Sequence, residues 1–394
     1  MANSALSQLS PLNARSNYIN GAAKNAAGTP RITGAKLLGV LSEGLFRYYL
    51  AHGWQVHVNI KNNNCRGNAA MVHAICIHEH GGPETLKWEE VDVGAPGPGE
   101  IRVKHHAIGL NFIDTYQRSG LYPLPSLPAV MGMEGAGEVL AMGDGVTEFA
   151  VGDRIAYANP MGSYSEERVM PAARAVKILD GIEYQTAAAM MLQGMTVRYL
   201  LRETYKIGPD TTLLFHAAAG GVGLIACQWA KHLGAIVIGT AGSDEKVALA
   251  EANGCTYGIN YNTENFVERV KELTGGKGVD VVYDSIGKDT FPRSLDCLKP
   301  LGMFVTFGNA SGPIACIEPG MLAAKGSLYV TRPTLFTYTA NRADLVANAN
   351  DLFEVVKQGA VKINVNQTYP LSEAAQSHRD LEARKTTGST VLLP

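Results

Sequence analysis

The sequence predicts an α/β protein that combines a doubly wound parallel sheet with an antiparallel, barrel-like domain. Two patterns carry this prediction. Between residues 71 and 159, short strand-forming runs are punctuated by Gly and Pro, which is typical of antiparallel sheets. From residue 211 onward, short unbroken apolar runs alternate with amphipathic helices, which is typical of a parallel sheet covered on both faces. A length of 394 residues also suits two domains better than one core.

The composition argues against two classes of partner. With a formal net charge of −2 and no run of basic residues, the chain offers no strong field for a polyanionic nucleic acid. No stretch of apolar residues is long enough to span a bilayer. The six cysteines show no C-x-x-C pair and no spacing typical of metal ligands, which predicts buried thiols in a reducing compartment. We therefore expect a cytoplasmic protein that acts on small molecules.

The first seventy residues differ from the rest of the chain. They contain seven Lys or Arg and a single acid, Glu43, and they end in the polar run KNNNCRGNAA. Such a leader is either an organelle transit peptide or a stretch translated from a start codon assigned too early, with Met71 as the true initiator. The second explanation is favoured because Ser and Arg are not abundant and no amphipathic stripe is evident. We expect residues 1–70 to be an extension, disordered or mis-assigned, outside the fold.

The strand-rich segment begins at Met71. HAICIHEHGGPETLKWEEVDV offers two alternating runs around a Gly-Gly-Pro turn, and EIRVKHHAIGLN, GEVLAMG and VGDRIAYAN continue the pattern. From about Tyr184, in YQTAAAMMLQGMTVRYLLRETY, the apolar residues follow the spacing of a helix. We assign the first domain to residues 71–194.

The second half of the chain repeats a strand-helix unit. Strands are expected at TTLLFHA, AIVIGT, VDVVYDS, GMFVTFG and SLYVTRP, and helices at residues 221–233, 244–252, 263–273, 342–358 and 372–381. The units up to residue 331 define a doubly wound domain at residues 195–331, and the last two helices belong to the tail. The tail, residues 332–394, ends in the strand STVLLP and is expected to return to the first domain, which places a cleft between the two.

A glycine-rich turn lies within FHAAAGGVGLIACQWAK, residues 215–231, between a strand and a helix. This arrangement directs backbone N–H groups and the positive end of a helix dipole at a pyrophosphate, as in the Rossmann dinucleotide-binding fold. Gly220 allows the backbone to approach the phosphates, and Gly223 allows the helix to pack on the sheet. Ala218 replaces the first glycine of the usual fingerprint. The alternative is a tight turn that only packs.

The end of the second strand indicates which nucleotide binds. NAD enzymes usually place an acid there to bond the ribose 2′-hydroxyl, but GTAGS has none and Lys246 follows it. An uncharged strand end beside a cation suits a 2′-phosphate, so the predicted cofactor is NADPH. Alternatively, Ser243 is only a helix N-cap and Lys246 only a solvated surface residue.

Together these segments resemble the NADPH:quinone oxidoreductases, the zeta-crystallin-like branch of the medium-chain dehydrogenase/reductase superfamily. The similarity covers residues 71–394 and is carried by AIGLNFIDTYQRSGLYP, FHAAAGGVGLIACQWAKHLGA, VVYDSIGKDT, SLDCL and GSLYVTRP. The resemblance implies a GroES-like barrel as catalytic domain, a Rossmann domain for NADPH, and a homodimer. It also implies that quinones are reduced in a cleft between the domains.

The same superfamily contains zinc alcohol dehydrogenases. Where those enzymes have their catalytic cysteine this chain has Asn111, and Met133 replaces the imidazole of their Gly-His-Glu segment. Their four-cysteine lobe is also missing. Because zinc needs three or four correctly placed N, S or O ligands, the resemblance predicts an enzyme without a metal.

The resemblance further implies which residues form the site. Those that match positions near the nicotinamide are Asn111, Tyr116, Tyr122 and Thr196. Those that match the pyrophosphate turn are Gly220, Gly221, Val222 and Gly223. Ser243, Lys246 and Tyr261 match the adenosine-phosphate end, Ser285 and Phe307 match the ribose and nicotinamide, and Arg332 and Arg384 match basic residues lining the cleft. Tyr116 and Tyr122 are alternatively rim residues, and Phe307 is alternatively plain core.

Hydride chemistry belongs to the cofactor, so the protein must position it and supply charge where negative charge develops. The candidate catalytic residues are Asn111, Tyr116, Tyr122 and Arg332, of which the last three offer hydrogen bonds to the acceptor. Asp114 is expected to be a structural hydrogen-bond acceptor. Two alternatives stay open: an enoyl or alkenal double-bond reductase of the same superfamily, and, from a different class, an RNA-binding or structural crystallin-like protein.

Overall fold

A computed structural model describes residues 71–394, together with a two-residue strand pair, Ala23–Lys24 with Pro30–Arg31. The expectation for residues 1–70 otherwise lies outside the described residues. Within residues 71–394, no helix is both long and apolar enough to cross a bilayer.

The N-terminal half of the described chain forms antiparallel sheets. Its strands are β1 (Met71–Ile77), β2 (Lys87–Asp92), β3 (Glu100–Leu110), β4 (Ala129–Val130), β5 (Glu134–Met142), β6 (Arg154–Tyr157), β7 (Glu167–Pro171) and β8 (Val176–Lys177). β1 pairs with β2 and β4, while the long strand β3 pairs with both β5 and β7. Ile101, Val103 and His105 alternate with less buried residues along β3, as expected where one face of a strand packs on a core.

The second half forms a six-stranded parallel sheet. Its strands are β9 (Thr212–His216), β10 (Ile236–Ala241), β11 (Tyr257–Asn260), β12 (Val279–Asp284), β13 (Leu298–Thr306) and β14 (Tyr329–Thr331). Their order is β11-β10-β9-β12-β13-β14, and every pairing is parallel. This order reverses direction at β9, as in Rossmann domains, so the predicted fold class is confirmed. The short strand β11 was not expected from the sequence.

Helices flank the parallel sheet and connect the two halves. They are α1 (Phe112–Ser119), α2 (Tyr184–Ala188), α3 (Met191–Tyr199), α4 (Gly221–His232), α5 (Asp244–Ala252), α6 (Phe266–Leu273), α7 (Pro319–Ala324), α8 (Leu335–Tyr338), α9 (Arg342–Lys357) and α10 (Ala374–Glu382). The helical run expected from Tyr184 is divided: Ala189 and Met190 separate α2 from α3, and a π-helical turn, Leu200–Thr204, follows α3.

The C-terminal segment joins the antiparallel half. Its strands β15 (Val365–Pro370) and β16 (Ser389–Leu393) are parallel to each other, and β16 pairs antiparallel with β3 through Thr390 and Leu110. A single apolar cluster includes Met195, Phe215, Phe353 and Val391, which come from both halves. This shared core packs the parallel sheet, through Phe215 on its central strand β9, against the C-terminal segment that pairs with β3.

Candidate active site

The glycine-rich turn connects β9 to α4. Gly220 is the N-cap of α4, and the first N–H groups of a helix lack intrahelical partners and point outward from its N-terminus. Gly223 is required by close packing, because a Cβ there would lie 2.3 Å from the Ala217 carbonyl oxygen. The turn therefore offers backbone donors to an anion.

Ala218 replaces the usual first glycine without disturbing this turn. It is fully buried, and its N–H donates to the Thr240 carbonyl oxygen at 3.0 Å. The space for its methyl group comes from the neighbouring strand β10, where Gly239 has no side chain. A Cβ at Gly239 would lie 2.7 Å from the Ala218 Cβ. The missing glycine is thus compensated across the sheet.

The C-terminal segment closes over the same turn. The Gly388 N–H donates to the Ala219 carbonyl oxygen at 3.0 Å, and Gly388 and Gly220 form an isolated parallel bridge. Immediately afterwards Ser389 begins β16. The turn is therefore bordered by its own helix on one side and by the returning chain on the other.

Two cations meet at the end of β10, beyond the turn. The Lys246 ammonium donates to the Arg384 carbonyl oxygen at 2.6 Å and lies 3.4 Å from that of Thr386. Burial, followed by the Arg384 charge, lowers the pKa of Lys246. A phosphate would counteract both effects. It offers the ammonium group the hydrogen bonds that burial removes, and it neutralises the two like charges. This end of the site fits a 2′-phosphate.

Ser243 and Tyr261 border these cations. The Ser243 hydroxyl accepts a hydrogen bond from the Lys246 N–H at 3.3 Å, so the N-cap interpretation of Ser243 holds in this structure. A Cβ at Gly242 would lie 2.6 Å from the Tyr261 hydroxyl, which places that phenol beside the turn into α5. Lys246 is half-buried and bonded to carbonyl oxygens, which is not the solvated surface lysine of the alternative interpretation.

At the other end of the site, Asn111 is held by a chain of buried hydrogen bonds. Its amide nitrogen donates to Glu134 Oε2 at 2.7 Å, and its amide oxygen accepts from Gln193 Nε2 at 3.2 Å. Gln193 Oε1 in turn accepts from the Ser389 hydroxyl at 2.7 Å. All four side chains are at most 7% exposed. The orientation of the Asn111 amide is therefore fixed at both ends.

Two buried carboxyl groups lie beside Asn111. Burial raises the pKa of Glu134 to about 8, although Glu134 accepts hydrogen bonds from Asn111 and from the Leu192 N–H. Burial also raises the pKa of Asp114 to about 7. Asp114 Oδ2 accepts from the Asn111 N–H and from the Tyr164 hydroxyl, both at 2.9 Å, as a structural acceptor should.

The residues predicted to contact the electron acceptor form a separate hydrogen-bonded group. The Asn309 N–H donates to the Tyr116 hydroxyl at 2.9 Å, and Arg332 Nη2 donates to the Tyr122 hydroxyl at 2.9 Å. The two tyrosine rings meet edge to face with centroids 5.2 Å apart. Burial raises the pKa of Tyr116 to about 12, so this phenol keeps its proton. Tyr116 and Tyr122 thus face residues at the end of the parallel sheet.

The remaining predicted residues lie on several elements of both halves. Phe307 follows β13, donates its N–H to the Asp284 carbonyl oxygen and packs on Phe215, with ring centroids 5.8 Å apart. Ser285 follows β12, and its carbonyl oxygen accepts from the Ala310 N–H at 3.0 Å. Thr196 is buried on α3, one turn after Gln193. Arg384 forms a long, exposed ion pair with Asp289 at 3.7 Å.

Comparison with known proteins identifies the family. Residues 97–180 match the alcohol dehydrogenase GroES-like domain, and residues 221–349 match the zinc-binding dehydrogenase family. The chain is 54% identical over 325 residues to a quinone oxidoreductase of Pseudomonas aeruginosa, a match that covers 82% of this chain and 100% of that protein. This chain belongs to the quinone oxidoreductase family. The resemblance inferred from its motifs, and the assignment as an oxidoreductase of the medium-chain dehydrogenase/reductase superfamily, are confirmed.

Solved structures agree with the quinone oxidoreductase assignment. The structure of Escherichia coli quinone oxidoreductase complexed with NADPH superposes with a TM-score of 0.80 at 51% identity, covering 82% of this chain and 100% of that one. A 2-haloacrylate reductase from a Burkholderia species is 48% identical over 334 residues, covering 82% of this chain and 99% of that protein. The family therefore includes relatives named for two different acceptors.

In this quinone oxidoreductase, the positions that hold zinc ligands in related dehydrogenases are occupied by residues of a different kind. Asn111 offers an amide that is already bonded to Glu134, and the Met133 sulfur accepts from Gln117 Nε2 at 3.3 Å. Among residues 71–394, no group of three His, Cys, Asp or Glu side chains is arranged to hold a metal ion. These residues do not fit a zinc site.

Sequence reasoning missed four side chains of the quinone oxidoreductase site. They are Glu134, Gln193 and Asn309, which contact predicted site residues, and Ser389, which contacts Gln193. Gln193 had a readable signal, because it is a lone polar residue in the apolar run MMLQGM. The others lie in ordinary loop or strand contexts, and their roles depend on contacts between distant parts of the chain.

Proposed function

We propose that this quinone oxidoreductase uses NADPH to reduce quinones, without a metal, in the cleft between its two domains. The observation that carries the proposal is the pair Lys246 and Arg384 at the end of β10, where no acid is present to bond a ribose 2′-hydroxyl. We place the catalytic domain at residues 71–194 and 332–394 and the NADPH-binding domain at residues 195–331.

The proposed cofactor-binding residues follow the geometry of the turn and of the two cations. They are Asn111, Thr196, Gly220, Gly221, Val222, Gly223, Ser243, Lys246, Tyr261, Ser285, Phe307 and Arg384. When bound, NADPH supplies the hydride. The turn offers N–H groups to the pyrophosphate, and Lys246 and Arg384 offer charge to the 2′-phosphate.

Tyr116, Tyr122 and Arg332 are the proposed donors to the acceptor. A quinone oxygen gains negative charge during reduction, and preorganised O–H and N–H groups stabilise charge that develops in a sheltered site. Because Tyr116 remains protonated far above neutral pH, it acts as a hydrogen-bond donor, and solvent supplies the proton. Asn111 is the proposed positioning group at the nicotinamide, with its amide direction set by Glu134 and Gln193.

The direct test follows the absorbance of NADPH at 340 nm in the presence of 1,4-benzoquinone. We expect rapid oxidation of NADPH and much slower oxidation of NADH. Because cofactor positioning is assigned to Asn111, Asn111→Leu should reduce kcat while the tight binding of NADPH, measured by fluorescence titration, is retained. An enzyme that oxidises neither nucleotide with any quinone would contradict the proposal.

A second candidate is reduction of an activated carbon–carbon double bond. The 48% identity to a 2-haloacrylate reductase favours it, since that relative is covered over 99% of its length. Comparing kcat/KM for 2-cyclohexenone and 2-chloroacrylate with kcat/KM for 1,4-benzoquinone separates the two. Higher efficiency with either alkene identifies the protein as a double-bond reductase.

We further propose a cytoplasmic homodimer. The edge strand β14 of the parallel sheet exposes Tyr329, which is 57% accessible, and an exposed edge of this kind pairs readily with a second copy. Light scattering on the purified protein should give twice the chain mass, and Tyr329→Lys should shift it toward one chain mass.

A further inference from the structure

Arg332 is held in place at the acceptor end by uncharged groups. Nη1 donates to the Gly308 carbonyl oxygen at 3.2 Å, and Nη2 donates to the Tyr122 hydroxyl at 2.9 Å. With the Asn309 amide turned so that its oxygen accepts, Nη2 also lies 3.3 Å from that oxygen. A carbonyl, a phenol and an amide thus fix the direction of the guanidinium without neutralising it.

Arg332 also lacks a counter-charge. Within residues 71–394, no carboxylate oxygen lies within 4.0 Å of its guanidinium nitrogens, whereas the buried Arg118 pairs with Glu382 and the half-buried Arg198 pairs with Glu203 and Asp351. Arg332 is exposed to solvent. Its charge acts on the neighbouring Tyr116 phenol, where it opposes the rise in pKa caused by burial. The positive charge is therefore available to a molecule that enters beside the tyrosines.

We propose that Arg332 is a specificity-determining residue, which makes this enzyme select acceptors that carry an anionic group, such as a sulfonate or a carboxylate, over neutral acceptors of the same shape. This inference rests on the proposed quinone reductase function. A guanidinium bonds planar or trigonal oxyanions through two parallel N–H groups, and these charge-assisted bonds are stronger than bonds to a phenol. An anion can therefore replace Tyr122 as the partner of Arg332.

Preorganisation strengthens the expected selectivity. A free surface arginine loses rotamer freedom when it binds an anion, but Arg332 is already oriented by the Gly308 carbonyl oxygen, which still bonds Nη1 when an anion replaces Tyr122. The anionic group then remains near the mouth of the cleft, and the quinone ring extends toward the tyrosines. Because solvent reaches Arg332, we expect a gain of about tenfold in kcat/KM, at the lower end of the range for charge-assisted bonds.

The experiment uses a matched pair of acceptors, 1,2-naphthoquinone-4-sulfonate and 1,2-naphthoquinone. Their kcat/KM ratio is measured for the full chain and for Arg332→Gln, Arg332→Lys and the control Arg379→Gln, an exposed arginine on α10. Comparing ratios between variants cancels the different electrophilicity of the two quinones. We expect Arg332→Gln to lower the ratio about tenfold, mainly through KM, Arg332→Lys to lower it less, and Arg379→Gln to leave it unchanged.

A binding measurement checks the same point without turnover. Calorimetry with 1-naphthalenesulfonate, which cannot be reduced, should show weaker binding to Arg332→Gln than to the wild type, and 1 M NaCl should remove the difference. An unchanged acceptor ratio in Arg332→Gln, with 1,2-naphthoquinone still reduced, overturns this inference and leaves the proposed function standing. Failure of the wild type to reduce either quinone overturns both.

Discussion

The two ends of the proposed cofactor site are built in opposite ways. At the adenosine-phosphate end, Lys246 and Arg384 are partly exposed; Lys246 donates to backbone carbonyl oxygens, and Arg384 forms a long ion pair with Asp289. At the nicotinamide end, Asn111, Glu134 and Gln193 are buried and bonded to one another. Charge near solvent is screened and adaptable, whereas a buried network tolerates no unpaired member. The first end should therefore determine affinity, and the second should determine both geometry and stability.

The strongest test of this contrast is Glu134→Leu. It leaves the Asn111 amide nitrogen and the Leu192 N–H without their acceptor in a buried site. We expect a loss of about 3 kcal/mol in the free energy of unfolding by urea denaturation, together with a fall in kcat. Glu134→Gln, which keeps the volume and one acceptor, should lose much less stability. Equal stability of the two variants would refute the structural role of this carboxyl group.

The buried carboxyl groups also predict a pH dependence of stability. Because the pKa of Glu134 is raised from 4.5 to about 8, the folded state keeps a proton that the unfolded state has released between these values. Unfolding free energy should therefore fall as pH rises through this window, by at most about 1.4 kcal/mol per pH unit from this group.

Glu134→Gln isolates that contribution. Asp114 also makes the unfolding free energy fall with pH, between pH 3.8 and about 7. Because the wild type and Glu134→Gln both contain Asp114, its contribution cancels when they are compared. Between pH 5 and 7 the wild type should lose stability more steeply than Glu134→Gln, by about 1.4 kcal/mol per pH unit. Parallel profiles in urea titrations across this range would show that Glu134 is ionised in the folded state.

At the exposed end, Lys246→Ala should weaken NADPH binding without unfolding the protein. Loss of a charge-assisted bond to a phosphate costs about 2 kcal/mol, a roughly 30-fold rise in Kd. NADH affinity should change little, since NADH lacks the 2′-phosphate. Lys87→Ala is the matched control, because Lys87 also donates to a backbone carbonyl oxygen, at 2.8 Å, but lies on β2. Equal fluorescence titrations for Lys246→Ala and the wild type would contradict the assignment.

The smallest effect is expected for Tyr122→Phe. Its hydroxyl bonds Arg332, but the ring contact with Tyr116 survives the change. One hydrogen bond at a half-exposed site contributes about 1 kcal/mol, so kcat/KM for 1,4-benzoquinone should fall about fivefold. Tyr116→Phe removes a more buried hydroxyl, so its kcat/KM should fall further. A larger loss of kcat/KM in Tyr122→Phe than in Tyr116→Phe, measured in steady-state assays, would contradict the assigned positions.

The sequence predicted more of the residues that meet at the exposed end than of those that meet at the buried end. The absence of an acid in GTAGS and the presence of Lys246 are local facts, so the hypothesis of a phosphate site depends on local spacing alone. The hydrogen bond from Ser389 to Gln193 joins residues 196 positions apart, so no local pattern reveals it. The compensation of Ala218 by Gly239 likewise depends on strand pairing rather than on the glycine motif.

The secondary-structure predictions show the same limit, because local sequence does not reveal features that depend on distant contacts. The helix at Asp244–Ala252 was predicted with the observed bounds, because Ser243 caps it and acids follow in its first turn. The strand Tyr257–Asn260 was missed, since it is short, its first residue is exposed, and only pairing with β10 makes it a strand. Local chemistry fixes a helix end, whereas an edge strand depends on its neighbour.

The bridge between Gly388 and Gly220 brings the C-terminal segment against the glycine turn. A protein truncated after residue 387 would keep Arg384 but lose Gly388 and the strand β16. On the proposed cofactor assignment it should hold NADPH less tightly, even with Lys246, Arg384 and every residue of the glycine turn intact. Affinity tags for this enzyme are therefore best attached at a distance from that terminus.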